Sequence, residues 1–314
     1  MHNKYKSQFS PKIAFRYELN DKIAIKSSVG YGYKAPAFRQ LYLDYFNSTV
    51  GYNVIGYNRV PDVIDRLMAE GQEINMRVSL SNFGGELKPE SSMNMNLGVQ
   101  LNPISNLKID VNLFRNNTKD LIDSYLIATR NNNDQEKIFS YRNFNKVYTQ
   151  GIEINTSWRP VNQLKISGGY QLLFAKDVAA EKAFENGEIF ARHSSGVGVF
   201  ALEKSDYFGL PNRSRHMANA KVFYTIPQWD VNTNIRATYR SKYGYGDTNG
   251  SEGHLDIYDE FVKGYTLLNF AINKTFYKKY DLGFGIDNVL GFTDPQNISS
   301  ISGQLIYGKI NIKF

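Results

Sequence analysis

The chain has 314 residues, a net charge of +7 scattered along its length, and no cysteine, which excludes a disulfide framework and thiol chemistry. The absence of a basic block argues against a nucleic-acid partner. Mean hydropathy is −0.43 and no run approaches the roughly 20 apolar residues of a membrane helix, but this excludes helical spans only, because barrel strands alternate and signal weakly.

The amino terminus, "MHNKYKSQFSPKIAFRY", has no apolar signal-peptide core. Alternation of period two then begins: Lys12 to Leu19 and Lys22 to Tyr33 are parted only by Asn20-Asp21. After a long connection over 37–90, Met93, Met95, Leu97, Val99 and Leu101 alternate with polar residues and glycine, "NPISN" turns the chain, and Leu107, Ile109, Val111 and Leu113 resume the pattern. A second long connection is expected over 126–140. It is followed by strands from Tyr148 to Trp158 and Leu164 to Phe174 around "RPVNQ". A third long connection, 177–212, leads to Met217 to Thr225 and Val231 to Tyr239 around "IPQW". A fourth, 244–262, leads to Tyr265 to Phe276 and Leu282 to Val289 around "YKKY". A shorter connection at "TDPQNISS" leads to a last strand, Ser302 to Phe314.

Short and long connections alternate along about eleven strands. That is the plan of an all-β fold, a transmembrane antiparallel β-barrel with short periplasmic turns and long extracellular loops. In the last strand Ile306, Ile310, Ile312 and Phe314 share one face, expected toward lipid. Lys309, Asn311 and Lys313 share the other, expected toward the lumen. An odd strand number puts the first strand's start outside, whereas a complete bacterial barrel has an even number and both ends in the periplasm. The whole of 1–314 is therefore expected to be a portion of a larger barrel, unable to close by itself because its end strands would leave backbone groups unpaired in hydrocarbon.

Four segments carry a family resemblance: "SSVGYGYKAPAFRQLY" (Ser27 to Tyr42), "GELKPESSMNMNLGVQ" (Gly85 to Gln100), "YTQGIEINTSWRP" (Tyr148 to Pro160) and "IDNVLGFTDP" (Ile286 to Pro295). In order and spacing they resemble TonB-dependent outer-membrane receptors. The resemblance implies a 22-stranded barrel in the outer-membrane lipid, of which this chain is the C-terminal half without the plug domain. It implies active uptake of a scarce chelate, siderophore or haem, with cobalamin as an alternative, energised through the TonB complex. It implies no enzyme activity and no cofactor. The terminal Phe314, with Ile312 and Ile310 before it, resembles the family's signal to the outer-membrane assembly machinery. A passive porin or a surface adhesin are the alternatives from other classes.

The longest loop holds Arg39, Tyr42, Tyr45, Tyr52 and Tyr57, aromatics and arginine of the kind that grips a bulky, partly anionic ligand. The same side chains would equally serve to pack the loop on itself. Pro61, Val63, Ile64, Leu67 and Met68 predict a short amphipathic helix, and residues 50–80 are expected to contribute no strand, so that their deletion would leave the barrel intact. His193 and His254 fall in two external loops and are weak candidates for haem ligands; no metal site is otherwise implied. Gly196, Gly198 and Ala201 match a dinucleotide pattern without the strand and helix it needs, which favours a plain loop. Asp247, Glu252, Asp256, Asp259 and Glu260 crowd one loop, but an EF-hand reading would put Glu252 where glycine is required.

Overall fold

A computed structural model describes residues 9–47, 52–130, 136–193 and 197–312, apart from the side chain of Asn145. Its frame is a meander of eleven antiparallel strands: β1 (Lys12–Asn20), β2 (Ile23–Lys34), β3 (Glu90–Ile104), β4 (Leu107–Arg130), β5 (Glu136–Val161), β6 (Leu164–Asp177), β7 (His216–Ile226), β8 (Val231–Arg240), β9 (Tyr265–Phe276), β10 (Tyr280–Asp287) and β11 (Leu305–Ile312). Each pairs with its neighbours in sequence. Strands β1 and β11 stand at the two ends of this order, unjoined to one another, with every described residue exposed. The sheet is therefore an open wall of a barrel.

Register separates two faces along the whole meander. Ile312, Ile310 and Ile306 stand opposite Tyr280, Leu282 and Ile286, which continue into Phe276, Lys274 and Phe270 on β9. Farther round, the same face carries Ile235, Val222, Ile166, Trp158, Val111 and Val99. The opposite face is polar and knits itself across strands. Lys26 donates to Asp110 at 2.9 Å, Asn112 to Asn96 and Asn96 to Ser28, each at 3.3 Å, Gln171 to Glu153 at 2.8 Å, and Thr275 to Asp281 at 2.7 Å. Lys309 and Asn311 belong to this polar face. A face of Ile, Leu, Val and aromatic residues with no core packed over it is the lipid-facing side of a barrel, and the hydrogen-bonded face is the lumen.

The family-like segments meet in space. Lys34, from the "YKAP" segment, and Glu90, from "LKPE", are cross-strand partners with a 2.7 Å ion pair. Asn143 secures the same corner, accepting from Lys88 N and donating to Lys88 O. In "IDNVLG", buried Asn288 adopts a left-handed φ of 52° and its amide donates to Phe292 O and Ser302 O, fixing the turn toward β11.

Two expectations are corrected above the membrane. The connection expected over 126–140 is mostly strand: β4 and β5 run on as a hairpin beyond the wall, and only 131–135 lie between them. The loop after β2 is also not strand-free. Tyr52–Ile55 pairs in parallel with β5 at Ile138 and Phe139, and Ile74–Met76 pairs with β4 over Ala128 to Arg130. Between these strands α2 (Val60–Ala69), following α1 (Phe38–Tyr42), starts with proline in its first turn as expected. Helix α2 lays Val60, Val63, Ile64 and Leu67 into a core completed by Ile55, Phe83, Ile127 and Ile138. This is a hydrophobic cluster of the soluble-protein kind, built outside the membrane. A smaller one forms around α3 (Val178–Glu185), where Asp177 caps the helix by accepting from Ala179 N and Ala180 N, and Phe184 stacks on Tyr207 at 4.9 Å.

Candidate functional site

The extracellular end of the polar face opens into a cavity of about 500 Å³. Its walls come from five separate segments. The hairpin supplies Ser124, Lys137, Phe139 and Tyr141, and the annexed strand gives Tyr52 and Val54. Asn212, the pair Tyr243 and Tyr245, and residues Gln296 to Ser300 come from the three following loops, with Arg240 at the end of β8.

Lys137 faces this space, donating to Asn297 Oδ1 at 3.3 Å and lying 5.0 Å from the Tyr245 ring centre. Burial holds its ammonium below the ordinary lysine value, while Glu260 and Asp294 pull the other way. Tyr245 is fixed by a hydrogen bond to Asn297 O and by edge contacts with Phe139 at 5.9 Å and Tyr243 at 5.7 Å. Burial raises the Tyr141 and Tyr245 hydroxyls above their usual value, so both stay protonated donors at neutral pH. The Arg240 guanidinium lies 3.7 Å from the Tyr243 ring centre and donates to Ser214 Oγ and Asn212 O, bracing the loop as well as lining the space. Tyrosine and cation donors around an aromatic floor fit an anionic, planar-ringed guest.

Of the residues expected in the longest loop, Tyr52 lines the cavity and Tyr45 meets it edge-on at 6.3 Å, itself exposed. Arg39 is exposed on α1, and its charge partly opposes the raised hydroxyl of Tyr141. Tyr42 is exposed and packs on Phe38. Tyr57 is buried, with its ring 5.4 Å from Phe83 and its hydroxyl donating to Asn82 O, so it holds the loop together. His193 packs on Phe200 at the surface, whereas His254 meets the stacked pair Phe184 and Tyr207 edge-on. Burial lowers the His254 imidazole pKa, and the two histidines sit in different surroundings. The acidic loop uses its oxygens on backbone: Asp247 accepts from Asn249, Gly250 and Gly253 N–H, and Asp259 from Thr248 and Asp256 N–H. Val199–Ala201 pairs with Phe190–Arg192 as a small hairpin, while Gly196 lies outside the described residues, as does Phe314. Sequence reasoning missed Lys137, Tyr141 and Tyr243; Lys137 belongs to a strand extension read as loop, and Tyr141 precedes the strand expected from Tyr148.

An outward apolar wall, a polar lumen and folded extracellular loops over a cavity define an outer-membrane barrel of the receptor type. A family model, the TonB dependent receptor-like beta-barrel, matches residues 2–289, and the chain belongs to that family of bacterial outer-membrane receptors, which are not enzymes. A probable TonB-dependent siderophore receptor, PirA of Acinetobacter baumannii, is 33% identical over 122 residues, covering 38% of this chain and 14% of that protein. Among solved structures, the siderophore receptor PirA of the same organism superposes with a TM-score of 0.56 at 18% identity, over 99% of this chain and 42% of that one. The ferric enterobactin receptor PfeA of Pseudomonas aeruginosa gives 0.57 at 16% identity, over 97% and 40%. The copper transporter OprC gives 0.58 at 12% identity, over 97% and 39%. The chain thus spans about two fifths of the solved receptors it resembles, and at these identities the likeness is one of fold.

Proposed function

We propose that the chain forms the C-terminal half of the barrel of a TonB-energised uptake receptor, and that its cargo is an anionic metal chelate of the siderophore class. The observation that carries this reading is the cavity at the mouth of the polar face, where Lys137 stands among Tyr52, Tyr141, Tyr243 and Tyr245. The siderophore receptors among the comparisons support the same class of cargo. Arg39, Tyr42 and Tyr45 would meet the chelate first, from the exposed surface above. The remaining strands, the plug and the TonB-contacting segment would be supplied by sequence preceding this portion, and Ile310, Ile312 and Phe314 would serve barrel assembly. Haem is less well supported, since the half-buried His254 packs edge-on against Phe184 and Tyr207 while His193 packs on Phe200.

The test uses the full-length protein in cells starved of iron. Uptake of labelled iron is measured with catecholate, hydroxamate and haem carriers, with and without a protonophore. Lys137→Met should weaken capture of the transported anionic chelate by about tenfold or more, as expected for removing a partly buried charged partner, while barrel assembly is unchanged. Protonophore-insensitive uptake would refute energised transport. Unaltered capture by the Lys137 and Tyr245 variants together would refute the cavity as the site.

A further inference from the structure

The lipid-facing row ends abruptly on two adjacent strands. On β4 it changes from Leu113 to Arg115, Asn117 and Lys119, and on β5 from Ile152 to Gln150, Tyr148 and Lys146. The Arg115 guanidinium lies 4.5 Å from the Tyr148 ring centre and donates to Gln150 Oε1 at 2.6 Å and Asn117 Oδ1 at 3.1 Å, all neutral partners. Lys119 and Lys146 are direct cross-strand partners and both are exposed. Like charges directly opposite repel one another, and neither lysine forms an ion pair among the described residues. Glu181, the carboxylate beside Tyr148, is engaged by the Tyr148 hydroxyl at 3.0 Å and by Lys176 at 3.7 Å. Three cations that form no ion pair among the described residues therefore stand at the extracellular edge of the apolar band, where acyl chains give way to headgroups.

We propose that Arg115, Lys119 and Lys146 form a binding site for the phosphate of a phosphorylated glycolipid of the outer leaflet. The apolar band continues directly below them at Leu113 and Ile152, so one lipid molecule presents an anion to the cations and tails to the band. A free anion would satisfy the charges and leave the band uncovered. The Arg115 guanidinium, held over the Tyr148 ring with Nε and Nη1 on neutral acceptors, keeps its charge available to a phosphate oxygen. Lys274, an outward cation near the turn side with the Phe276 ring 5.1 Å away, is the natural control.

The experiment is native mass spectrometry of the full-length protein in detergent, titrated with bis-phosphorylated lipid A, with the same lipid dephosphorylated, and with inorganic phosphate. Heat-modifiable gel mobility confirms assembly. At about fivefold per cation the triple variant Arg115→Gln, Lys119→Gln, Lys146→Gln should bind the phosphorylated lipid about a hundredfold more weakly. Lys274→Gln should bind as the parent does. The parent should bind the dephosphorylated lipid as weakly as the triple variant binds the phosphorylated one, and excess inorganic phosphate should not displace the lipid. Should the triple variant fail to assemble, Lys119→Gln or Lys146→Gln alone, each about fivefold weaker, makes the same test. Equal binding by parent and variants, equal binding of both lipid forms, displacement by inorganic phosphate, or an equal loss in Lys274→Gln would each overturn the site.

Discussion

Replacing Ile64 by alanine tests whether the extracellular cluster is a folded lid or a loosely collapsed loop. Ile64 is fully buried on α2 among Ile55, Val60, Ile127 and Ile138, each at no more than 1% exposure. Three carbons leave a site walled by two strands and a helix that cannot collapse without losing the pairings of Tyr52–Ile55 and Ile74–Met76. An isoleucine-to-alanine change in such a place costs about 2–5 kcal/mol. If the lid opens as its own cooperative unit, ~3 kcal/mol multiplies its open population by about 150. Apart from the β4–β5 hairpin the wall shares none of that core, since β6 to β11 contribute no residue to it. Amide exchange in α2 of the full-length protein should therefore accelerate by about two orders of magnitude, with exchange in β7 to β9 unchanged and the heat-resistant gel band retained. An α2 exchange rate within threefold of the parent would refute the lid. Loss of the folded band would instead show that lid and wall unfold as one.

Three further outcomes follow from named contacts. Burial pushes the Asp259 carboxyl up to about 7 even though it accepts from Thr248 and Asp256. A folded value above the ordinary one means the loop 241–264 binds more protons than its unfolded form. It is then most stable in acid and loses stability as pH rises from about 4 through about 7, so protease nicking there should increase from pH 5 to pH 8, and Asp259→Asn should flatten the profile. Ile310→Lys puts a charge on the lipid face and should cost about 2–4 kcal/mol in assembly, whereas Lys309→Gln on the polar face should be close to neutral by urea-gradient folding. Tyr57→Phe removes the donor to Asn82 O and should destabilise the lid by about 1 kcal/mol, read by the same exchange measurement.

The wall was legible because lipid covers one face only. Met93 to Leu101 and Leu107 to Leu113 alternate cleanly, and each lies within a strand whose register keeps that alternation on one side. Helix α2 was legible from Pro61 and the spacing of its apolar residues. The hairpin tip was not. Around Ile127 and Ala128, both fully buried, protein covers more than one face and the alternation gives way to a short apolar run, while the polar 131–135 draws the eye to a longer loop. Ile74–Met76 was illegible for another reason: its partner lies more than fifty residues away, as does the β5 partner of Tyr52–Ile55, which pairs locally only with the short Asp44–Asn47. Helix α3 left a local signal in Asp177 followed by Val-Ala-Ala-Glu, a capping residue before good helix formers. In the cavity only Tyr52 belonged to the residues singled out beforehand, because its other walls are brought together by topology.

The hairpin then has a double role that follows from the two-residue period of a strand. On β5, Lys137, Phe139 and Tyr141 turn toward the cavity, while Ile138 and Ser140 between them are buried on the other side, Ile138 in the lid core. A strand that alternates between cavity and core cannot move one row without moving the other. Its position is in turn set by Val54, which lines the cavity on a strand whose neighbour Ile55 is in the lid core. Packing of α2 therefore fixes where Lys137 stands, although no residue of the helix lines the cavity. The aromatic loop after β2 is in this sense both of the things its composition allowed. Tyr57 and Phe83 hold the loop closed on itself, and the closed loop holds Tyr52 and the hairpin at the mouth of the lumen.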